Sequence, residues 1–177
     1  SVVHNGIIEN SDKLKKEYES KGYIFKSQTD TEVITVILTD FLKTENLIDS
    51  IYKTLNKLIG SFALGVIFKD FEGVVVGARR GSPLAVGYGH NENFLGSDSY
   101  ALKTMTNKIS YLDDGDFCLL HKEKIEFYNS DKKKINKKIF ELSNEENIAE
   151  KGDYKDFMSK EIDEQSYTTK KCIHEYL

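Results

Sequence analysis

Proline is nearly missing: Pro83 stands alone among 177 residues, which excludes a Pro-rich linker. Cysteine is scarce as well. Cys118 and Cys172 are too few for a disulfide framework and point to a reducing, cytoplasmic setting. No apolar run approaches the length of a membrane span, and no signal-peptide pattern opens the sequence. Basic residues are not in excess. With 25 Lys and Arg against 29 Asp and Glu, the net charge is −4, which gives no support to nucleic-acid binding. The four histidines, His4, His90, His121 and His174, are scattered, so spacing supplies neither a metal-ligand cluster nor a Ser/His/Asp arrangement. No cofactor-binding pattern and no internal repeat is visible.

What is present is enough for a real core: 39% of the residues are hydrophobic, in a length that suits one domain plus an appendage. The opening "SVVHNGIIEN" reads as a strand already under way at Ser1, with Asn5-Gly6 as a turn dipeptide and Asn10 as a helix cap. Leu14 and Tyr18 lie four apart, and Gly22 sits where that helix would stop. "YIFKSQ" reads as a short strand. Val33, Ile34, Ile37, Leu38, Phe41 and Leu42 then fall at helical spacing, as do Leu47, Ile48, Ile51, Leu55, Leu58 and Ile59. From Ser61 the period changes. "SFALGVIFKD" and "GVVVGARR" read as strands joined by a turn over 70–73, "PLAVGYG" and "ENFLGS" as two more. A short helix over 100–106 leads to strands within "ISYLDDGDFCLLHKEKIEFYN". Runs of helices followed by runs of antiparallel strands give an α+β class. After about Asn129 the sequence turns highly charged. "SDKKKINKKIF" reads as a solvated face or loop, and "FMSKEIDEQSYTTKKCIHEYL" as a terminal helix or linker.

Three residues carry candidate chemistry. Asn5 offers a side-chain amide with two donors, and Gly6 a backbone N–H that no Cβ shields. Side by side, such donors can form an oxyanion hole, although "HNG" taken alone is better read as a turn. "TDTE" reads as a capping box, Thr29 with Glu32, placing Asp30 in a first helical turn. A carboxylate held rigidly there can bind a substrate ammonium group. Arg79 and Arg80 could bind anions, with surface solvation the safer reading; Ser97 reads as a helix cap.

In their order and spacing, "VVHNGIIEN", "GYIFKSQTDTEVI", "SFALGVIFKD", "VVGARRGSPLAVG", "FLGSDSYAL" and "YLDDGDF" resemble one family: the glutaminase domain of glutamine–fructose-6-phosphate aminotransferases (isomerizing), or glucosamine-6-phosphate synthases. The resemblance is dense over residues 1–128 and resumes at "GDYKDFMSKEIDEQ", with Ser166 where the family usually has proline. It implies a class II glutamine amidotransferase domain over 1–150, followed by a linker over 151–177 toward a sugar-isomerase domain that lies outside these residues. It further implies a four-layer α/β/β/α sandwich of the N-terminal nucleophile hydrolase type. In that family an amino-terminal cysteine attacks glutamine, glutamate is released through a thioester, and the ammonia converts fructose 6-phosphate to glucosamine 6-phosphate. The family works without a cofactor in this domain, in the cytoplasm, and as a homodimer at full length. By motif match Asn5 and Gly6 are its oxyanion pair, and Asp30 its holder of the glutamine α-amino group.

The family's first strands, its cysteine and its carboxylate-binding arginine precede "VVHNG". Residues 1–177 therefore carry no nucleophile, and on their own are expected to be inactive. Ser1 aligns with an interior strand position, Cys118 with a core strand and Cys172 with the linker. Two rivals stand beside this reading. One is another class II amidotransferase, purine-pathway or asparagine-forming. The other is a glutaminase-like module that lacks a nucleophile and only binds.

Overall fold

The computed structural model describes residues 1–142 and 151–176. The chain forms two compact units, Ser1–Leu142 and Ser143–Leu177. The charged stretch 143–150, and with it the expected domain boundary at 150, lies outside the described residues.

The first unit begins with strand β1 (Val2–Ile8) and helices α1 (Ser11–Ser20), α2 (Glu32–Phe41) and α3 (Leu47–Lys57). Strands β2 (Gly60–Ile67), β3 (Val75–Arg80), β4 (Ala85–Tyr88) and β5 (Asn93–Gly96) follow, then helix α4 (Ser99–Lys103). Strands β6 (Lys108–Tyr111), β7 (Phe117–Leu120), β8 (Ile125–Tyr128), β9 (Lys134–Ile135) and β10 (Phe140–Glu141) complete it. The strands make a six-stranded sheet, β1-β2-β3-β7-β8-β9, and a four-stranded sheet, β10-β6-β4-β5, with every pair antiparallel.

Strand alternation explains the layering. In β2, Phe62, Leu64 and Val66 point to the helix side, where they meet Val33, Ile34 and Ile37 of α2 and Ile51 and Leu55 of α3. Ala63 points the other way and joins Cys118, Leu120 and Phe127 in packing against Leu84 and Val86 between the two sheets. Behind the smaller sheet, Ala85 and Ile109 pack on Leu102 of α4. Helices, sheet, sheet and helix stack in that order, the expected α/β/β/α sandwich. The second unit carries helix α5 (Phe157–Tyr176), whose apolar residues Phe157, Met158 and Ile162 are exposed.

Local bonds correct three local expectations. Residues 23–28 form no strand: the Glu32 carboxylate accepts the N–H groups of Lys26 (2.8 Å) and Ser27 (2.7 Å), so these donors are not available to a sheet. Asn10 sits at the N-cap of α1 without a side-chain cap bond. Its amide instead bridges the end of α3 and the start of β2, donating to Lys57 O (2.9 Å) and accepting from Ile59 N (3.0 Å). The lysine-rich stretch is mostly exposed, but Lys137 turns inward, its side chain only 9% exposed against Asp116.

Candidate active site at the open edge of the large sheet

Among the described residues β1 stands at one end of the large sheet and pairs with β2. Register decides which of its backbone groups are free. Ser1 and Ile67 exchange N–H···O bonds of 2.9 and 3.0 Å, and Glu9 N donates to Ile59 O at 2.8 Å. With Val3 opposite Gly65, Asn5 opposite Ala63 and Ile7 opposite Ser61, the odd residues carry the ladder. The N–H groups of His4, Gly6 and Ile8 fall outside it, on the open edge.

Asn5 and Gly6 therefore do not form the expected turn; they lie in mid-strand. Gly6 has φ 129°, and a Cβ there would stand 2.0 Å from Ser61 O. Only glycine fits, and its freedom serves the close passage of β1 over β2. The Asn5 side chain makes no hydrogen bond within the described residues. It lines a cavity of about 120 Å³ between the sheets, together with Val3, Leu84, Leu95, Gly96 and Ser97. A larger cavity of about 420 Å³, between α2 and the β2–β3 hairpin, is lined by apolar groups such as Leu38, Leu42 and Phe68 and holds none of the three candidate residues.

Asp30 is placed differently from the capping-box expectation. Helix α2 begins at Glu32, and its N-cap is Thr31, in helical conformation and without a side-chain cap bond. Thr29 bonds Ser27 Oγ instead, at 2.8 Å. Asp30 lies in the turn ahead of the helix, half-buried, and its Oδ2 accepts the Ile8 N–H at 2.7 Å. Asp30 is thus fixed to β1 itself, two residues beyond Gly6. Thr31 reaches the same strand on the other side: its hydroxyl lies 3.1 Å from His4 Nδ1 and 3.4 Å from Asp30 Oδ1. Burial holds the His4 pKa below the usual histidine range, against the pull of Asp30. The structure brings Asn5, Gly6 and Asp30 to one strand edge.

Two arginines and a serine change roles. Arg80 is half-buried rather than a free surface cation; its guanidinium donates to Leu58 O (2.6 Å) and Leu55 O (3.2 Å), closing the C-terminus of α3. Arg79 donates to Leu112 O. The cap of α4 is Asp98, which accepts from Ala101 N at 2.9 Å, and Ser97 stands before it at the cavity wall. Thr31 escaped the sequence reading because its partner His4 lies 27 residues away in the chain. Among the described residues no group of three or more His, Cys, Asp or Glu could hold a metal.

A family model described as a glutamine amidotransferase domain matches residues 1–104. The chain belongs to the glutamine amidotransferase domain family. Its relatives include the glutamine–fructose-6-phosphate aminotransferase (isomerizing) of Zymomonas mobilis, 42% identical over the whole of this chain and 29% of that protein. The enzyme of the same name from Clostridium acetobutylicum is 46% identical over 93% of this chain and 27% of that protein. The chain therefore spans under a third of the length of these relatives. Among solved structures, the glutamine phosphoribosylpyrophosphate amidotransferase of B. subtilis superposes with a TM-score of 0.63 at 24% identity, over 73% of this chain and 28% of that one. The fold is that of the N-terminal nucleophile amidotransferases, and the amidotransferase matches run through the β1 edge just described.

Among the described residues no helix is long and apolar enough to cross a membrane. Of the two cysteines, Cys118 is buried, which pushes its thiol up to about 12, and Cys172 is exposed on α5. A thiol held protonated in this way is no nucleophile at neutral pH.

Proposed function

We propose that this chain is the glutaminase domain of a glutamine–fructose-6-phosphate aminotransferase. It hydrolyses glutamine to glutamate and ammonia, and a sugar-isomerase domain uses the ammonia to make glucosamine 6-phosphate. Residues 1–150 are the amidotransferase domain and 151–177 the linker, in a cytoplasmic, homodimeric enzyme. The observation that carries this reading is the placement along one strand of an Asn5 amide, without a hydrogen bond among the described residues, and the Gly6 N–H, with the Asp30 carboxylate fixed to the same strand at Ile8. The names of its relatives, 42% and 46% identical over 100% and 93% of this chain, support fructose 6-phosphate as the acceptor.

The chemistry follows from the positions. When a nucleophile adds to the side-chain amide carbon of glutamine, the carbonyl oxygen becomes an oxyanion. Asn5 Nδ2–H and Gly6 N–H stabilise it, two donors fixed before the charge appears. Asp30 binds the substrate ammonium. A carboxylate has about four acceptor positions, and its bonds to Ile8 N and Thr31 leave capacity for that group. The nucleophile is a cysteine outside residues 1–177. Ser1 stands four residues before Asn5, roughly 13 Å along an extended strand, too far to share an oxyanion site with it. Cys118 is buried between the sheets.

The test is an assay of the full-length gene product for glutamate release and for sugar-amine formation from fructose 6-phosphate, with phosphoribosyl pyrophosphate and aspartate as rival acceptors. Asn5→Ala lowers the glutamate-releasing kcat about 10²–10³-fold and leaves glutamine binding nearly unchanged. Equal losses in binding and turnover would make Asn5 a substrate or packing contact. Turnover with a rival acceptor alone would move the protein to another amidotransferase class. No turnover at all would leave a binding module.

A further inference from the structure

The ladder with β2 ties Asn5 and Ile7, one residue to either side of Gly6, and so turns the Gly6 N–H away from β2. It does not by itself set where the strand stands relative to the Asp30 carboxylate, and with φ 129° and no Cβ at Gly6 the strand can still adjust there. Contacts on the side away from β2 set that position.

We propose that His4 is a positioning residue for the oxyanion pair, acting through Thr31 and Asp30 as one bracket around Asn5 and Gly6. The inference rests on the reading given under Proposed function. His4 lies two residues before Gly6 and Ile8 two residues after. His4 Nδ1 is 3.1 Å from Thr31 Oγ1, Thr31 Oγ1 is 3.4 Å from Asp30 Oδ1, and Asp30 Oδ2 takes the Ile8 N–H at 2.7 Å. Donor counting sets the direction. The Thr31 hydroxyl has one hydrogen, which goes to the Asp30 carboxylate, so His4 Nδ1–H donates to the Thr31 oxygen. The remaining ring nitrogen, Nε2, is then a bare acceptor; it is buried and has no partner among the described residues. An unfilled acceptor is a smaller penalty in a buried site than an orphaned donor, which fits a neutral ring. Thr31, the N-cap of α2, gives up its capping bond to serve this chain of contacts. The ammonium-binding carboxylate and the oxyanion strand are therefore one mechanical unit. The role of His4 is to hold the backbone, not to move a proton.

The test uses the full-length enzyme and the glutaminase reaction. Thr31→Val keeps the shape and removes the hydroxyl. It lowers kcat about tenfold, less than the loss of an oxyanion donor itself, with KM for glutamine within about twofold and the melting temperature nearly unchanged. Thr31→Ser restores kcat. His4→Ala loses about as much as Thr31→Val, and His4→Asn, whose amide can stand where Nδ1 stood, recovers most of it. The double variant His4→Ala/Thr31→Val is no worse than either single one, because the two act as a unit. Should Thr31→Val keep wild-type kcat, or His4→Ala and Thr31→Val multiply their losses, the bracket is overturned while the oxyanion assignment stands. Should Asn5→Ala keep wild-type kcat, the oxyanion assignment falls and the bracket falls with it.

Discussion

The large sheet has two edges, and they are finished in opposite ways. At one end, β1 is seven residues long and leaves backbone donors open. It also exposes apolar side chains, with Val3 at 72% and Ile7 at 66%. Beyond its ladder with β2, a few directed bonds from Asp30 and Thr31 hold it. At the other end, β9 is two residues long and is set among lysines that form ion pairs. Lys132 pairs with Asp49 on α3, Lys134 with Glu126 on β8, and Lys137 with Asp113 and Asp116 in the β6–β7 turn. A short, lysine-rich edge resists pairing with other strands. Among the described residues β1 has no such lysine pairs. Its backbone is sterically exacting at Gly6, and the candidate catalytic donors sit there.

The largest break falls on the β1 edge. Gly6→Ala sets a Cβ against Ser61 O and forces φ into a region L-residues avoid. We expect a loss of about 3 kcal/mol of stability. In whatever fraction folds, glutamine turnover falls at least as far as for a lost oxyanion donor, about 10²-fold or more. Denaturant unfolding and single-turnover glutamate release measure the two separately. A variant with normal stability and normal turnover would mean that Gly6 is an ordinary strand residue.

The next break falls on the opposite edge. Lys137→Met removes the cation from Asp116, whose side chain is only 5% exposed, and leaves a buried carboxylate that keeps the Asp113 N–H at 2.9 Å. Breaking one partner of such a pair is expected to lower stability by about 3 kcal/mol, while glutamine KM and kcat of the folded protein stay as they were. Loss of turnover without loss of stability would show that the β9 edge also serves the site.

This contrast was only half legible in the sequence. The helices over 32–41 and 47–57 could be read directly, because a buried face recurs every three to four residues. The hairpin strands from Gly60 onward were legible from β-branched runs between glycines. Asn5, Gly6 and Asp30 could be named because they stand in short recognisable motifs. Their geometry could not be read. Asn-Gly looks like a turn until register places it in mid-strand, and "TDTE" looks like a capping box until Ile8, 22 residues away, takes the carboxylate. The same limit hid Arg80, whose partners Leu55 and Leu58 lie on another element. Local patterns report periodicity and turn chemistry; a side chain with a choice of partners is settled by the packing.

Asp30→Asn sharpens the comparison at the β1 edge by separating charge from anchoring. The asparagine carbonyl can still accept the Ile8 N–H, so the strand stays tied and the melting temperature changes little. The charge that would meet a substrate ammonium is gone. A charge-assisted hydrogen bond contributes roughly 1.5–3 kcal/mol, so KM for glutamine should rise by about 10- to 100-fold with kcat less affected. A lower melting temperature with an unchanged KM would make Asp30 an anchor for β1 and nothing more.

The smallest effect is expected at Glu126, which meets the β9 edge from β8. Hydrogen bonds from Lys124 (2.5 Å) and then Lys134 (2.7 Å) push its carboxyl from the ordinary 4.5 down to about 2. A pKa depressed in the folded state means that folding favours the ionised form. The contribution is therefore complete above pH 4.5 and is lost as the pH falls from there toward 2. Both lysines are largely exposed, with side chains at 64% and 63%, so water screens the pairs and the contribution is modest. Glu126→Gln should unfold slightly more easily than the wild type at pH 7, and the two should converge as the pH approaches 2. The gap at pH 7 should also narrow in high salt, whereas the effect of Asp30→Asn on KM persists better, because Asp30 is half-buried and the lysines that meet Glu126 are largely exposed. A gap that stays constant from pH 7 to pH 2 would show that Glu126 acts by packing rather than by charge. The β9 edge would then be held by shape, as the β1 edge is held by directed bonds.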